Sequence, residues 1–331
     1  MIHTGQALVD LTVEIPDLPA RGQNVMATSV AQYAGGAVTV LLAAARLGAQ
    51  CVHAGALGTG PHGDLIRATL AADGIEASAA PIADRDTGVC VVLVEPTAER
   101  TFVTTLGAER DITVDSLATA DVQPGDLVCI TGYTLAIEQT CRPLQEWLAT
   151  LPETAVVVLD PGAAFAGLPA QVRDAMLART DVWTSNAEEA TDLLAALAVP
   201  VPASGTRGQA SDRLINAQTE ALAPVMRNGV ITIVRDGAEG CAVHERGAVH
   251  DADAVHEAGA TTYVPGFPQE PVDTNGAGDT HTGALLAAIA DGATWVDACR
   301  RANAAAAIKV TRRGPTTAPT AVEVEEFLRS R

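Results

Sequence analysis

Short apolar segments alternate with helix-forming segments along most of this 331-residue chain, and no other feature restricts the fold as strongly. The runs "GDLVCITG", "AVVVLDPG" and "GVITIVRDG" have the length and apolar content of buried strands. "EQTCRPLQEWLATL" and "AEEATDLLAAL" have the apolar spacing of helices. The alternation predicts an α/β fold with a mostly parallel sheet flanked by helices, in one domain over residues 1–331.

Two segments interrupt this rhythm, at roughly residues 11–34 and 87–106. The second holds two strand-like runs, "TGVCVVLVEP" and "RTFVTTLG", joined by a turn, which is typical of a hairpin. We expect the two segments to pair into a small antiparallel lid outside the main sheet. A polar loop at about 200–212 and a turn-linked pair of strands at 241–254 are further expectations.

Composition excludes several functional classes. Hydrophobic residues make up 48% of the chain, which supports a sizeable core, and the formal net charge of −19 disfavours a nucleic-acid binder. The N-terminal "MIHTGQALVD" lacks the regions of a signal peptide, and no apolar run reaches the ~20 residues that span a bilayer. We therefore expect a cytoplasmic protein that associates with neither membrane nor nucleic acid.

The cysteines and the single lysine narrow the chemistry further. The six cysteines form no C-x-x-C pair, so buried free thiols are expected rather than disulfides or a zinc site. Lys309 is the only lysine in the chain. A P-loop, which needs a G-K-[ST] motif, is absent, and a Schiff-base enzyme could use only this one residue.

A glycine loop, "GTGPHG" from Gly58 to Gly63, matches the G-x-G-x-x-G pattern of dinucleotide-binding proteins. An NAD-dependent oxidoreductase is therefore one alternative. Against it, Pro61 removes a backbone donor and Asp64 adds negative charge where a pyrophosphate would bind. A structural turn that leads into a helix explains the loop more simply.

A second glycine loop lies in "VDTNGAGDTHTG", Val272 to Gly283. Gly276, Ala277 and Gly278 leave amide N–H groups unobstructed at the start of the helix "DTHTGALLAAI", which favours anion binding. Asp279 follows directly. It could simply cap the helix, or it could take a proton from a hydroxyl group while the amides hold a phosphoryl group.

The motif "DTNGAGDTHTGALLAAI" resembles the second signature of the ribokinase-like (PfkB) carbohydrate kinase family. "GGAVTVLLAAARLGAQCVHAGALGTGPHGD" resembles its first signature, and "NAEE", "VRDGAEG" and "AAAAIKVTRRG" follow in the family's order. The resemblance implies a ribokinase-like fold and ATP-dependent phosphorylation of a sugar. It makes Asp279 the catalytic base and the amides of residues 276–278 the anion hole.

The resemblance also implies roles for residues of the nucleotide site. Asn186 and Glu189 would organise Mg²⁺ and the phosphates, largely through water, although the same pair could form a helix capping box. Gly237 and Gly240 would pass under the nucleotide, and Asn303 would lie near adenine. Each of these last three could equally be a turn or an exposed helix position.

On the acceptor side, the resemblance implies that Asp10, at the end of the first strand, binds sugar hydroxyls and that Gly35 and Gly36 let the sugar approach. Thr39 replaces the usual asparagine of the family, which puts that sugar contact in doubt. Ribokinase has an acidic sugar ligand in the region where this chain has "TGY" (131–133), so ribose is not the leading candidate. His281 stands where many relatives have phenylalanine.

Many members of the family use K⁺. The matching ligands here would be the backbone carbonyls of Asp273, Asn275, Arg312 and Gly314, although a simple network of hydrogen bonds between loops would explain the same residues. The expected cofactors are therefore ATP, Mg²⁺ and K⁺. The expected partner is a small-molecule sugar or nucleoside, and the lid could form a homodimer.

Two other functions stay open on the sequence. A nucleoside kinase would need aromatic side chains to stack on a base, and Tyr33, Phe102 and Tyr133 could supply them. A non-catalytic sugar-binding protein on the same fold would have no need of a base at Asp279.

Overall fold

The computed structural model describes residues 1–97, 99–200, 211–227, 229–245 and 259–331. Most of the expected loop at 200–212 and the second half of the expected pair at 241–254 lie outside these residues. The strands are β1 (Ile2–His3), β2 (Ala7–Glu14), β3 (Ser29–Gly36), β4 (Val52–His53), β5 (Glu76–Ala77), β6 (Val89–Val94), β7 (Arg100–Thr104), β8 (Leu127–Thr131), β9 (Val156–Asp160), β10 (Val182–Asn186), β11 (Ile231–Arg235), β12 (Gly240–Glu245) and β13 (Ala260–Pro265).

The helices cover both faces of the larger sheet. They are α1 (Ala37–Arg46), α2 (Pro61–Ala72), α3 (Val114–Ala118), α4 (Gly132–Leu135), α5 (Glu138–Leu148), α6 (Ala170–Arg179), α7 (Ala187–Ala196), α8 (Ser211–Leu222), α9 (Ala277–Ala290), α10 (Trp295–Lys309) and α11 (Ala321–Arg329).

The larger sheet has nine strands within the described residues, in the order β13-β12-β11-β10-β9-β8-β1-β4-β5. All of its pairs are parallel except β11 with β12 and β12 with β13. Along β9, Val157 and Leu159 pack into one apolar cluster and Val158 packs into another. Because side chains alternate between faces, this sheet is buried on both sides, which explains the continuous apolar runs. The predicted mostly parallel α/β core is confirmed.

A second, four-stranded sheet has the order β3-β2-β6-β7. It is mixed rather than antiparallel, because β2 and β6 run parallel. Asp10 lies in the interior of β2, in this second sheet, and the expectation that it ends a strand of the main sheet is wrong. The first strand of the main sheet has only two residues, Ile2 and His3, and is too short to recognise from a pattern.

Helices α1 and α9 pack closely and bring their first turns together. A side chain at Gly283, inside α9, would collide with the carbonyl oxygen of Val40 and would lie 2.7 Å from Cβ of Ala43. The absence of a side chain at Gly283 thus sets the separation of the two helices.

We predict that Gly283→Ala lowers the free energy of unfolding by about 1–3 kcal/mol, because the new methyl group overpacks the contact between α1 and α9. Urea denaturation followed by tryptophan fluorescence measures this change. Gly167→Ala is the matched control, since a Cβ there meets no atom within 4 Å. A Gly283→Ala variant as stable as the wild type would contradict the close packing.

Candidate active site

A cavity of about 490 Å³ opens where the carboxyl ends of β9, β10 and β11 meet the first turn of α9. One end of the cavity is polar and charged, and its lining includes Asp160, Asn186, Glu189, Arg235 and Asp279. The other end is lined mainly by uncharged side chains, among them Phe267, His281, Asn303, Ala306 and Val310. The carboxyl edge of a parallel sheet is where ligands of α/β proteins bind.

The loop that opens α9 presents unpaired amides to the charged end. Gly276 adopts a left-handed conformation (φ +76°), which glycine tolerates best. Within the described residues, the N–H groups of Gly276, Gly278 and Asp279 have no protein acceptor, whereas that of Ala277 donates to the carbonyl of Thr274 at 3.2 Å. Free amides at a helix start favour the binding of an anion. Residues 273–279 are called the anion-binding turn, or the anion-binding loop, below.

Arg235, at the end of β11, holds this loop in place, and the sequence analysis missed it. Its Nη1 donates to the carbonyl oxygen of Gly278 at 2.9 Å and to Oγ1 of Thr282 at 3.0 Å. Its Nε donates to the carbonyl oxygen of Ser185 at 3.2 Å. The guanidinium therefore fixes a peptide of the anion-binding turn.

Asp160, at the end of β9, was also missed. Its Oδ2 accepts a hydrogen bond from Oγ1 of Thr282 at 3.0 Å and lies 3.5 Å from Nη2 of Arg235. The available signal was a carboxylate directly after the buried run "VVVL", at the edge where ligands gather.

Asp279 lies in the first turn of α9, partly exposed to the cavity. Burial and then the negative charge of Asp160 raise its pKa to about 7, and Asp10 and Glu189 act in the same direction. Arg235 opposes them. A carboxyl group with this pKa can exchange a proton at neutral pH.

Asn186 and Glu189 form a capping box at the start of α7. Oδ1 of Asn186 accepts from the amide of Glu189 at 2.8 Å, and Oε2 of Glu189 accepts from the amide of Asn186 at 2.9 Å. Both residues also line the cavity. Burial, followed by the charge of Asp160, raises the pKa of Glu189. The structural and the ligand-facing interpretations are therefore compatible.

A bound cation is favoured beside Glu189, because the neighbouring charge of Asp160, after burial, raises the pKa of that carboxyl group. Asp160 and Glu189 both line the charged end, and their hard oxygen atoms suit Mg²⁺. No cluster of three or more acidic, histidine or cysteine side chains that could hold a metal ion occurs within the described residues. The donor set thus fits an ion that keeps most of its water ligands and also binds phosphate.

The residues expected to bind the acceptor sugar are Asp10, Gly35, Gly36 and Thr39. None of them is part of the lining of this cavity. The carboxylate of Asp10 covers Gly35, where any side chain would collide with it. Gly36 has φ +61° and passes close to the carbonyl of Gln6. Burial raises the pKa of Asp10 to about 6.

Thr39 packs against the loop that opens α9. It is buried in the first turns of α1, and its methyl group lies next to Gly276. Thr39 thus fills the contact between α1 and this loop, and a sugar contact at its hydroxyl stays a prediction.

Gly237 and Gly240 line the cavity in the turn between β11 and β12. Gly237 has φ +52° and Gly240 φ +117°. A side chain at Gly240 would collide with the carbonyl oxygen of Val264, so the turn needs glycine there.

Asn303 borders the uncharged end, but its side chain is fully engaged by protein groups. Its Nδ2 donates to the carbonyl oxygens of Val264 and Pro265, each at 3.1 Å, and its Oδ1 lies 3.1 Å from Nε2 of His281. Since Oδ1 only accepts, Nε2 of His281 carries the proton. Asn303 thus shapes this end of the cavity by fixing α9 and β13 around it.

The carbonyls expected to bind K⁺ do not form a vacant cation site. The carbonyl oxygen of Asp273 accepts a hydrogen bond from the ammonium of Lys309 at 2.8 Å. The carbonyl oxygen of Gly314 accepts from the Thr317 hydroxyl at 2.8 Å. These residues do not fit K⁺, because a second cation would be repelled by the ammonium.

The other two residues of that set, Asn275 and Arg312, make their contacts here through an amide and a guanidinium rather than through their carbonyls. The amide of Asn275 donates to Oδ1 of Asp273 at 2.8 Å, and the amide of Gly314 donates to Oδ2 at 2.9 Å. The guanidinium of Arg312 pairs with Glu323 at 2.5 Å. The network of loop contacts, the simpler of the two expectations, describes this region.

In the other glycine loop, Gly58–Gly63, a carboxylate of the protein already accepts hydrogen bonds from the amides. The carboxylate of Asp86 accepts hydrogen bonds from the amides of His62 at 3.1 Å and Gly63 at 2.9 Å, at the start of α2. A pyrophosphate would compete with this carboxylate for the same amides. The loop is a structural turn, and the dinucleotide interpretation is wrong.

The second sheet reaches across to the loops around α9. Arg100, on β7, donates to Oγ1 of Thr274 at 2.5 Å, and Glu14, at the end of β2, pairs with Arg313 at 3.0 Å. The ring of Tyr33 lies beside Gly314. These contacts connect the sheet that carries Asp10 with the anion-binding loop.

The cysteines agree with the sequence analysis, since all six are free and buried. Among the described residues, no helix has both the length and the apolar character needed to cross a membrane.

Comparison with known proteins gives a consistent result. Residues 3–321 match the family described as pfkB family carbohydrate kinase. A protein from Escherichia coli (strain K12) named uncharacterized sugar kinase YegV is 30% identical over 97% of this chain and 91% of its own length. Ribokinase from Bacillus subtilis (strain 168) is 28% identical over 98% and 97% of the two chains. The structure of Arabidopsis thaliana ribokinase complexed with ribose and ATP, at 21% identity, superimposes with a TM-score of 0.75 over 99% and 98% of the chains.

Proposed function

Because the chain belongs to the pfkB family of carbohydrate kinases, we propose that it transfers the γ-phosphoryl group of ATP to a hydroxyl group of a sugar or sugar-like alcohol. The observation that carries this proposal is the position of Asp279, which lines the cavity in the same helical turn as the free amides of Gly276 and Gly278. The family match and the similar sugar kinases confirm the expected family and the expected carbohydrate kinase activity. The role of each site residue is the proposal developed below.

The shape and charge of the cavity orient the nucleotide. The base would occupy the uncharged end between Phe267, Ala306 and Val310, and the triphosphate would extend past Gly237 toward α9. At the charged end, the amides of Gly276, Gly278 and Asp279 and the positive end of the helix dipole would bind the γ-phosphoryl oxygens.

Asp279 would act as the general base. Its ionised carboxylate would take the proton of the acceptor hydroxyl, and the resulting oxygen would attack the γ-phosphorus. The bond from phosphorus to the bridging oxygen then breaks, and ADP leaves. The amides stabilise the charge that spreads over the phosphoryl oxygens, so that positioning and electrostatics supply most of the rate acceleration.

Arg235 and Asp160 would support this geometry. Arg235 holds the carbonyl of Gly278, which orients the adjacent amides, and its charge favours ionised Asp279. Asp160 opposes that effect but fixes Thr282 and Arg235. Burial, together with the charge of Asp160 and against that of Arg235, keeps the pKa of Asp279 at about 7.

Asn186, Glu189 and Asp160 would hold Mg²⁺, largely through water, at the charged end. The ion, when bound, neutralises phosphate charge during transfer. Glu189 would stay ionised beside it, because a nearby cation offsets the burial that raises the pKa of this side chain.

The acceptor would lie between Asp10 and Asp279. Asp10 projects from the second sheet and would accept hydrogen bonds from sugar hydroxyls above Gly35. The second sheet, formed by residues from the segments 11–34 and 87–106, would act as a lid that excludes water from the transfer. The contact of Arg100 with Thr274 ties this lid to the anion-binding loop.

A nucleoside is the second candidate acceptor. Phe102 is 57% exposed on β7, and its pairing with buried Val92 places it on the same face as Arg100, toward the cleft. An exposed aromatic ring there could stack on a base. A purely sugar-binding role is disfavoured, because it leaves the perturbed carboxylate of Asp279 without a purpose.

We further propose a homodimer through the outer face of the lid. Val13, Leu93 and Val30 lie in one cross-strand row of that face, and Val91 and Val103 lie in the next. Val30 is 62% and Val103 58% exposed. An apolar sheet face of this kind is suited to covering by a second copy.

The first prediction from this section concerns the base. A panel of sugars and nucleosides, assayed for ADP release with Mg²⁺, identifies the acceptor. With that acceptor, Asp279→Asn is expected to lower kcat by about 10²–10⁴-fold, because the hydroxyl proton loses its base. The dissociation constant for ATP should change little.

Protein stability provides the control for this variant. Because burial raises the pKa of Asp279, ionised Asp279 destabilises the fold at pH 8, and the neutral amide is expected to raise the melting temperature there. An Asp279→Asn enzyme that retains wild-type kcat would remove Asp279 from the role of base.

The second prediction concerns pH. With the pKa of Asp279 near 7, the ionised base is lost as pH falls, and kcat/KM should drop about tenfold per pH unit below pH 7. A profile of kcat/KM against pH, at saturating Mg²⁺, measures this decrease. A flat profile from pH 5 to 8 would contradict a base with a raised pKa.

The third prediction concerns assembly. The wild type is expected to elute with the mass of a dimer in light-scattering chromatography, and the double variant Val30→Asp and Val103→Asp with that of a monomer, since buried charges disrupt an apolar interface. Val322→Asp, at an equally exposed valine (62%) on α11, is the matched control. A monomeric wild type would refute the dimer.

A further inference from the structure

The only lysine of the chain is buried against the loop that leads to the anion-binding site. Lys309 is the last residue of α10, its side chain is fully buried, and its ammonium donates to the carbonyl oxygen of Asp273 at 2.8 Å. Asp273 begins the turn that presents the free amides of Gly276 and Gly278. A covalently attached amino group is therefore built into the support of that turn.

The type of side chain at this position is informative. Lysine and arginine total 21 residues, so that arginine supplies 20 of them and lysine appears once. A guanidinium is planar and broad, whereas an ammonium is a compact point charge on a flexible stem. Of the two basic side chains, only the ammonium resembles a monovalent metal ion in size and charge.

The surroundings show what the ammonium stabilises. The amides of Val272 and Asp273 both donate to the carbonyl of Val310, at 2.7 and 3.0 Å, which joins the turn to the end of α10. The carboxylate of Asp273 links the turn to Gly314. Lys309 adds the charged contact at this junction.

The charges around Lys309 are mixed. Asp273 and Asp279 favour the ammonium form, whereas burial and Arg100 oppose it. The two carboxylates belong to the anion-binding turn and to the proposed base. The ammonium therefore has its attractive electrostatic partners on the turn that it holds.

We propose that the ammonium of Lys309 replaces a monovalent metal ion in this enzyme, so that it holds the anion-binding turn and makes activity independent of K⁺. The proposal rests on the proposed kinase function, because the turn is taken to bind the phosphoryl group. Lys309 is a positioning residue here and does not touch the substrate.

The first test compares ions in the wild type. Activity is measured with Mg²⁺ and either KCl, NaCl or tetramethylammonium chloride at equal ionic strength, and the melting temperature without nucleotide is measured in the same buffers. We expect kcat/KM to differ by less than about twofold and the melting temperature to be the same, since the site already holds a cation. A saturable activation by K⁺ of about tenfold or more would overturn the proposal.

The second test removes the ammonium. Lys309→Ala leaves a space and an unpaired carbonyl, and kcat/KM in NaCl is expected to fall about tenfold or more, because an unsatisfied buried acceptor is costly. KCl should restore activity with a saturable dependence. Lys309→Met fills the space without charge and should not be rescued.

The outcomes separate this proposal from the proposed function. If no acceptor supports ADP release, the kinase proposal fails, but the melting temperatures still test Lys309. Lys309→Ala should then be stabilised by KCl relative to NaCl, whereas the wild type and Lys309→Met should not. Equal stability of Lys309→Ala in both salts, or unchanged activity in NaCl, would contradict the replacement of a metal ion.

Discussion

The site depends on one physical constraint: a helix begins at the edge of a cavity with amide N–H groups that no atom of the described residues accepts. Such groups, at the positive end of the helix dipole, favour an anionic ligand, and at the start of α9 a carboxylate, Asp279, stands within the same turn. Asp279 gains its raised pKa from burial and from other acids at the carboxyl edge of the sheet. Both features favour a bound phosphoryl group that is flanked by cations.

Several surrounding elements hold this turn in place. Close packing at Gly283 brings α1 against α9, and Thr39 fills the space behind Gly276. Arg235 fixes the carbonyl of Gly278 from the sheet side, and Lys309 fixes that of Asp273 from α10. The anion-binding turn is thus clamped by three separate elements, which is the preorganisation that phosphoryl transfer requires.

What the sequence predicted well was local. The free amides of Gly276 and Gly278 and the carboxylate of Asp279 are neighbours in the chain, although the amide of Ala277, also expected to be free, donates to Thr274. The alternation of apolar runs gave the parallel sheet because each strand is buried on both faces. Asp160 and Arg235 were missed because their partners are distant in sequence: Thr282 lies 122 residues after Asp160, and Gly278 lies 43 residues after Arg235. The contact of Lys309 with one of the expected K⁺ ligands was missed for the same reason, since nothing in the motif shows that Lys309 reaches Asp273, 36 residues earlier.

The most direct test of this account is a crystal structure with Mg²⁺ and an ATP analogue that resists hydrolysis. The account predicts γ-phosphoryl oxygens within ~3 Å of the amide nitrogens of Gly276 and Gly278, with the Asp279 carboxylate facing the open side of the γ-phosphorus. A triphosphate bound away from the first turn of α9, with those amides covered by a protein side chain, would contradict it.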